Sequence, residues 1–329
     1  MVAATRAEVE HAETAMAEWL ILLLFVPAVV VPVVLLVGFA GCDLLWGIDR
    51  VKYKPALNKA EGKNAGVITL TWTWGGPPAA RFKFERLKVG NLTPVPFEAT
   101  TSPFDDNDEN KGLVPATNYL YRVQAVFSDG DTSPWSADTP NVLGTTRALQ
   151  NTFQAPTPVP GTEPPWEDSS GWEGYSLVLR IEAARLSTSG AWVRLTIRGS
   201  PIDNNYARIK TISISRADPV VGMDPYDSAD DPVLIASDIL LAPKQKLHIP
   251  DVNRPAINYS LDHDQHLLIA VDFDGVTASS IGSLPVPPDW LGTVVAYWNQ
   301  LPNAAMLKDR PTGYTPDDYI FLIEEIEVG

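Results

Sequence analysis

The chain has 329 residues, 45% of them hydrophobic, and its 40 acidic and 25 basic side chains give a net charge of -15. This length and hydrophobic content are enough for two or three domains with their own cores, which excludes a disordered chain. Because so acidic a chain repels phosphate backbones and has no basic stripe, nucleic acid is not expected as a partner.

Residues 1–50 combine a helical lead-in with a strongly apolar segment. An uncharged run of about 24 residues would reach across the ~30 Å hydrocarbon core of a bilayer as a helix. Trp19 and Trp46 lie at its two ends, where interfacial anchors are expected. Pro27 and Pro32 are expected to kink the helix, which neighbouring helices would tolerate. We predict an uncleaved anchor helix that spans or inserts into a membrane.

Two other interpretations of this segment stay open. A cleaved secretory signal needs a basic leader, whereas acidic residues outnumber Arg6 before the run. A bacterial lipoprotein needs a small-residue box that ends in cysteine, and Phe39-Ala40-Gly41-Cys42 is similar to that box. Cys42 is therefore a candidate lipidation site, and as the only cysteine it cannot form an internal disulfide. The basic flank follows the segment, so the positive-inside rule would place the C-terminal body in the cytoplasm, whereas a surface-binding body is expected outside. A helix that inserts from outside, or that is sheltered in an assembly, does not have to obey this rule.

A period of two replaces the helical pattern after the anchor. Alternating apolar and polar residues in 67–74, 81–87 and 119–127 predict β-strands, the first with Trp72 on one face. Gly-Pro and Asp-Gly turns close these runs. Short strands at this spacing predict a small antiparallel sandwich.

The run 112–125 follows an L-x-P-x-T-x-Y-x-Y-x-V-x-A pattern, and Ser-Pro-Trp-Ser occupies 133–136. Together with the first strand, these residues resemble the fibronectin type III family over about residues 54–146. The resemblance implies that Tyr119 forms a tyrosine corner and that the module is a spacer or protein-binding scaffold. We assign residues 54–147 to this domain.

Two acidic segments have a composition close to that of calcium loops. The first contains Asp105, Asp106, Asp108 and Glu109, and the second contains Asp218, Asp224, Asp227, Asp230 and Asp231. Neither has the spacing of a calcium hand. We predict a solvated loop for the first segment. For the second, calcium is the one cofactor left open, because oxygen-rich loops on a lectin-like sandwich can bind it.

A proline-rich stretch marks the predicted domain boundary. Five prolines lie between Ala155 and Trp166, a composition that favours extended polyproline geometry. We predict a semi-rigid linker over 148–166 that holds the last domain away from the fibronectin-like one.

Alternating runs recur through residues 167–329, and no useful helical period appears among them. We therefore predict a mainly β protein whose C-terminal domain is a β-sandwich or jelly roll, with the run 319–328 returning beside the first strand. The strands at 191–197, 212–215 and 266–273 are similar to those of lectin-like, jelly-roll accessory modules found beside SGNH esterases and in phage tail proteins. That resemblance implies a binding or structural role.

The chemical groups of this domain favour binding over catalysis. His263 and His266 lie three apart, so on a strand they would face opposite sides and would not share a metal; a solvated hairpin loop is expected. No nucleophile elbow, phosphate loop, dinucleotide fingerprint or zinc-protease motif is present, and no enzyme activity is expected. Exposed aromatic residues could stack on sugar rings. The candidate aromatic residues are Trp166, Trp172, Tyr226, Trp290 and Tyr314, and the candidate ligand-binding set is Asp224, Tyr226, Asp227, Asp230, Trp290 and Tyr314.

These features predict a non-enzymatic structural or adhesion protein. Its hydrophobic N-terminus would insert into a membrane, and its distal β-sandwich would contact a surface glycan or protein. A phage tail or tail-tip component, assembled as a homo-oligomer or larger complex, is the favoured context. A bacterial cell-envelope lipoprotein or membrane-anchored surface protein with the same binding module is the alternative.

Overall fold

The computed structural model describes residues 52–107, 113–157, 165–219, 224–276 and 278–329. The anchor helix predicted for residues 1–50 lies outside the described residues, and so do its proposed anchor and lipidation residues Trp19, Pro27, Pro32, Cys42 and Trp46. None of the helices in the described ranges has the length and apolar character needed to cross a membrane. The described residues are mainly β, as the alternating sequence pattern predicts.

The first domain is a sandwich of two antiparallel sheets. Its strands are β1 (Ala56–Asn64), β2 (Val67–Thr73), β3 (Arg81–Lys88), β4 (Val95–Ala99), β5 (Phe104–Asp106), β6 (Asn118–Val126) and β7 (Val142–Thr145). One sheet has the order β1-β2-β5 and the other β4-β3-β6-β7. The Trp72 ring packs between them, 4.9 Å from Phe84 and 5.2 Å from Phe82. The domain is a fibronectin type III-like β-sandwich.

The predicted tyrosine corner is confirmed. The backbone N–H of Val114 donates to the Tyr119 hydroxyl oxygen over 2.9 Å, five residues upstream in the chain. The Ser-Pro-Trp-Ser run lies along β6, because the Ser133 hydroxyl accepts from the Ala125 N–H at 2.9 Å. Side-chain hydrogen bonds thus hold both ends of β6 in place.

The prediction of a solvated acidic loop is wrong for Asp106. This residue ends β5 and is 3% exposed, and the Arg86 guanidinium donates to its two carboxylate oxygens over 2.8 and 3.0 Å. The Tyr121 hydroxyl donates to the same carboxylate at 2.8 Å. Burial, followed by the charge of Asp106, raises the pKa of Tyr121. Asp108 and Glu109 lie outside the described residues.

The second domain is a larger sandwich. Its strands are β8 (Gln150–Gln154), β9 (Glu167–Ser170), β10 (Ser176–Ile181), β11 (Gly190–Arg198), β12 (Ala207–Arg216), β13 (Val233–Leu241), β14 (Lys246–Ile249), β15 (Ile257–Leu261), β16 (Leu267–Phe273), β17 (Ser280–Pro285), β18 (Val294–Asn299), β19 (Thr315–Asp317), β20 (Tyr319–Phe321) and β21 (Ile323–Val328). One layer is the sheet β13-β12-β16-β10-β18-β19. The facing layer combines β14-β11-β21-β8, in which β15 also pairs with β11, and a small sheet β20-β17-β9. Apolar side chains from both layers form one core.

The predicted linker over 148–166 needs a correction. Residues Gln150–Gln154 form strand β8, which pairs with β21 in the second domain. The polar sequence Gln-Asn-Thr-Phe-Gln lacks the apolar alternation that would predict this strand, although Phe153 is almost fully buried. The proline-rich stretch therefore connects β8 to β9 within one domain. The predicted terminal strand exists as β20 and β21, separated by Leu322 at a φ of 63°. It does not return beside the first predicted run, 175–181, because that run is β10 in the six-stranded sheet, whereas β21 pairs with β11 and β8 in the facing layer.

The two domains touch, contrary to the predicted spacer. Ala65 and Val67, at the turn between β1 and β2, pack on Trp192 of β11 and on Ala256. At Gly66 an added Cβ would lie 2.3 Å from the Trp192 ring, so only glycine permits this approach. The connection between β7 and β8 is also short. This direct contact therefore fixes the orientation of the two domains relative to each other.

Gly66→Ala is expected to disturb this contact. The new methyl group has no room beside Trp192, so the indole must move and become more exposed to water. We expect a red shift in tryptophan fluorescence and a lower midpoint of thermal unfolding. Gly75→Ala is the matched control, because an added Cβ there meets no atom within 4 Å. Identical spectra and midpoints for both variants would contradict the described contact.

Candidate ligand-binding cleft

An aromatic cleft opens at one edge of the second domain, between the six-stranded sheet and the small sheet. Its volume is about 240 Å³. Strand β18 and edge strand β19 form one side, and β9 with the turn after it forms the other. The lining residues are Ser169, Ser170, Gly171, Trp172, Tyr175, Trp298, Asp317 and Phe321. We call this the aromatic cleft.

The rings of the aromatic cleft form a connected set. Trp172 and Phe321 are buried, with centroids 5.0 Å apart, and they form the floor. Tyr175 lies 5.9 Å from Trp172 and 5.9 Å from Trp298. Both Tyr175 and Trp298 are half-buried, so one part of each ring packs on the core while another part faces the opening. Two partly accessible rings supported by a buried floor give a fixed apolar surface.

The polar groups of the aromatic cleft are fixed by the sheet. Asp317 on β19 pairs with Ala296 on β18, which places it diagonally across from Trp298 on the same face. Burial raises the pKa of Asp317, and hydrogen bonds from the Trp298 indole and the Asp318 backbone N–H oppose part of that effect. On the opposite side, the Trp172 indole N–H donates to the Ser169 hydroxyl oxygen over 2.9 Å. The cleft therefore combines ring faces with one carboxylate and serine hydroxyls.

Three of the predicted ligand residues belong to a buried cluster instead. Tyr226 and Tyr314 are 5% and 8% exposed and pack against each other with centroids 4.5 Å apart, so neither offers a free ring face. Asp227 is also buried, and its carboxylate accepts the Arg310 backbone N–H over 2.7 Å. The Arg310 guanidinium in turn donates to the Tyr226 carbonyl and, over 3.0 Å, to the Ser228 hydroxyl oxygen. These groups hold together two long loops on the outer face of the six-stranded sheet.

The other predicted ligand residues do not converge on one site. Asp230 forms an ion pair with Arg216 over 2.8 Å. Trp290 is half-buried, and the Arg185 guanidinium already covers its ring at 4.5 Å. Asp224 accepts a hydrogen bond from the Tyr226 hydroxyl, which helps raise the pKa of that tyrosine after burial, the larger cause. Among the described residues, the acidic side chains around Asp224 do not form a group of three whose ligand atoms lie close together.

The histidine segment connects the two layers and is not a hairpin, because β15 and β16 lie in different sheets. His266 Nδ1 accepts the Ala183 backbone N–H over 3.0 Å, which occupies that ring nitrogen. In the described part of the chain, Asp262, His263 and Asp264 are the one acid and histidine group whose ligand atoms lie within 4.8 Å of one another. They stand at the surface, and Ser189 lies 2.7 Å from His263 Nδ1. Local hydrogen bonds therefore account for their arrangement.

A second, polar cleft of about 690 Å³ lies on the outer face of the sheet β14-β11-β21-β8. Its charges are matched: Glu324 pairs with Arg198 at 3.3 Å and also with Lys246. Arg198 lies over the ring of Trp166, which is 6% exposed and therefore is not the exposed aromatic residue the sequence predicts. A charge-balanced surface gives little reason to favour one ligand class.

Among the residues of the aromatic cleft, only Trp172 is a candidate from the sequence, which predicts it at the surface, whereas it is buried in the floor. Tyr175 and Trp298 have a partial signal, because they begin and end two of the alternating runs that predict strands in residues 167–329, namely 175–181 and 294–298. Asp317 carries none, since its three-residue strand is too short to show a period.

The chain resembles solved structures only at low sequence identity. No protein-family model matches it, and no curated protein sequence matches it. The structure of the FN1-FN3 domains of chicken CNTN1 aligns at 11% identity and a TM-score of 0.24, covering 82% of this chain and 66% of that one. An alpha-L-rhamnosidase from Dictyoglumus thermophilum aligns at 12% identity and a TM-score of 0.19, covering 81% of this chain but only 29% of the rhamnosidase. Both TM-scores are too low to support a conclusion about the whole chain or its activity.

Proposed function

We propose that the protein is a non-enzymatic binding component whose second domain recognises a surface glycan in the aromatic cleft. The observation that carries this proposal is the pairing of two accessible rings, Tyr175 and Trp298, with the carboxylate of Asp317. Sugars present C–H faces that pack on aromatic rings, and their hydroxyls donate to carboxylates. A concave site with an apolar wall and a few convergent polar groups is typical of ligand binding.

The rest of the chain would fix the location and the orientation of the second domain. The fibronectin-like domain contacts the second domain directly, so it would present the aromatic cleft in a defined orientation. The apolar N-terminus would insert into a membrane or be sheltered in a homo-oligomer. The acidic leader and the basic flank after the apolar run favour a phage tail or tail-tip component, with a jelly-roll-like distal domain for host attachment. A bacterial envelope lipoprotein modified at Cys42 is the second candidate, because the four residues that end in Cys42 are similar to a lipidation box.

A glycan array probed with the full chain in detergent tests the glycan-binding function. We expect wild type to bind a restricted set of glycans, and Trp298→Ala to lose about tenfold or more of that affinity, because the ring supplies a stacking face. Trp135→Ala is the matched control, since it removes a half-buried indole in the first domain that Arg122 already covers at 4.4 Å. Glycan binding that survives Trp298→Ala unchanged, or no glycan binding at all, would contradict the proposal.

A further inference from the structure

We infer that the aromatic cleft selects a saccharide that carries a protonated amino group. This inference rests on the proposed glycan-binding function and names the ligand class for the same cleft. It depends on two independent features: an acid without a cationic partner, and rings without a covering cation.

The first feature is the charge of the cleft. Asp317 is the one charged residue among its described lining residues, and no described lysine or arginine forms an ion pair with it. Its carboxylate accepts from the Trp298 indole and the Asp318 backbone, which leaves part of its acceptor capacity free. A partly buried carboxylate without a cation is costly, so a positively charged ligand would stabilise it. The nearest other charge on the same strand end, Asp318, has the same sign.

The second feature is that the rings of the cleft are not covered by a cation. Among the described tryptophans outside the cleft, three have an arginine over the ring, Trp135 with Arg122 at 4.4 Å, Trp290 with Arg185 at 4.5 Å and Trp166 with Arg198 at 5.4 Å, whereas Trp72, Trp74 and Trp192 have none. Within the described residues, no lysine or arginine covers the rings of Trp298, Tyr175 or Trp172. An ammonium group within about 6 Å of such a ring is attracted to its face.

The two features meet at one place. Asp317 is diagonal to Trp298 on the sheet, and Tyr175 lies 5.9 Å from the same indole. An ammonium group seated there could donate to the carboxylate while its carbon neighbours contact both rings. An acetylated amine lacks the charge, so its N–H would donate only a weaker, neutral hydrogen bond to the carboxylate and the ring faces would attract no cation. An acidic sugar would be repelled by Asp317 and Asp318.

The test uses the full chain in detergent and two oligosaccharides of equal length and linkage. One is a β-linked glucosamine oligosaccharide with free amines, in a mildly acidic buffer that protonates them; the other is its fully N-acetylated form. By calorimetric titration we expect wild type to bind the free amine about tenfold or more tightly. Asp317→Asn should remove most of that preference, whereas Asp231→Asn, which removes an exposed charge elsewhere, should keep it.

Equal or tighter binding of the acetylated form by wild type would overturn this inference, and so would a preference that survives Asp317→Asn. The wild-type comparison stands even where Asp317→Asn fails to fold. Failure of wild type to bind either oligosaccharide also overturns the inference, and the glycan array then decides the proposed function separately. Binding of another glycan that depends on Trp298 would leave that function intact.

Discussion

Replacing Arg86 with methionine is expected to lower the free energy of unfolding of the fibronectin-like domain by about 3–5 kcal/mol. The substitution removes the guanidinium that donates to both oxygens of Asp106 and leaves the carboxylate buried with the Tyr121 hydroxyl. An unpaired buried charge is far more costly than the intact pair is stabilising. Chemical denaturation followed by fluorescence measures the difference.

Two controls separate the buried charge from other effects of this substitution. Glu98→Gln removes one partner of the half-exposed Arg81–Glu98 pair and should change stability by less than about 1 kcal/mol. The double variant Arg86→Met with Asp106→Leu removes both charges and should recover most of the lost stability. A small effect of Arg86→Met alone, equal to that of Glu98→Gln, would mean that Asp106 is not buried as described.

Replacing Asp272 with alanine is expected to destabilise the second domain by about 3–5 kcal/mol. This residue of β16 is 2% exposed, and its carboxylate accepts the backbone N–H groups of Ala304 and Ala305 over 3.0 and 3.1 Å. The Ser176 hydroxyl donates to it as well. Without the carboxylate, three buried donors lose their acceptor, and each such group costs about 1–3 kcal/mol.

The same variant is expected to weaken glycan binding. The loop that Asp272 holds leads directly into β19, which carries Asp317 into the aromatic cleft. Asp203→Ala is the control, because Asp203 pairs with Lys244 at the surface and its loss should cost less than about 1 kcal/mol. Denaturation and glycan titration of the two variants measure both effects. A stable Asp272→Ala variant with unchanged binding would show that the loop does not depend on this carboxylate.

The fold of the first domain follows largely from local pattern. Trp72 and Tyr119 lie in alternating runs, and the spacing around Tyr119 is specific enough to predict its hydrogen bond to the chain upstream. Strand β8 could not be predicted in the same way, because its polar residues form a strand only through pairing with β21. β8 and β21 are too far apart in the sequence for any local window to reveal that they pair.

The aromatic cleft depends on contacts of the same long-range kind. Tyr175, Trp298 and Asp317 come from three separate segments that the sheets bring together. The predicted site failed for the opposite reason: Asp224, Tyr226 and Asp227 are close in sequence and look like a loop site, but Arg310 and Tyr314 come from far along the chain and bury two of them. Composition identifies polar and aromatic residues, and only tertiary structure decides which ones remain accessible.

A crystal structure of the protein with the glycan selected by the array is the decisive test of glycan binding in the aromatic cleft. We expect a sugar ring packed against Trp298 and Tyr175, with a hydrogen-bond donor of the sugar on the carboxylate of Asp317. A glycan bound at any other place, with the aromatic cleft empty, would contradict this expectation.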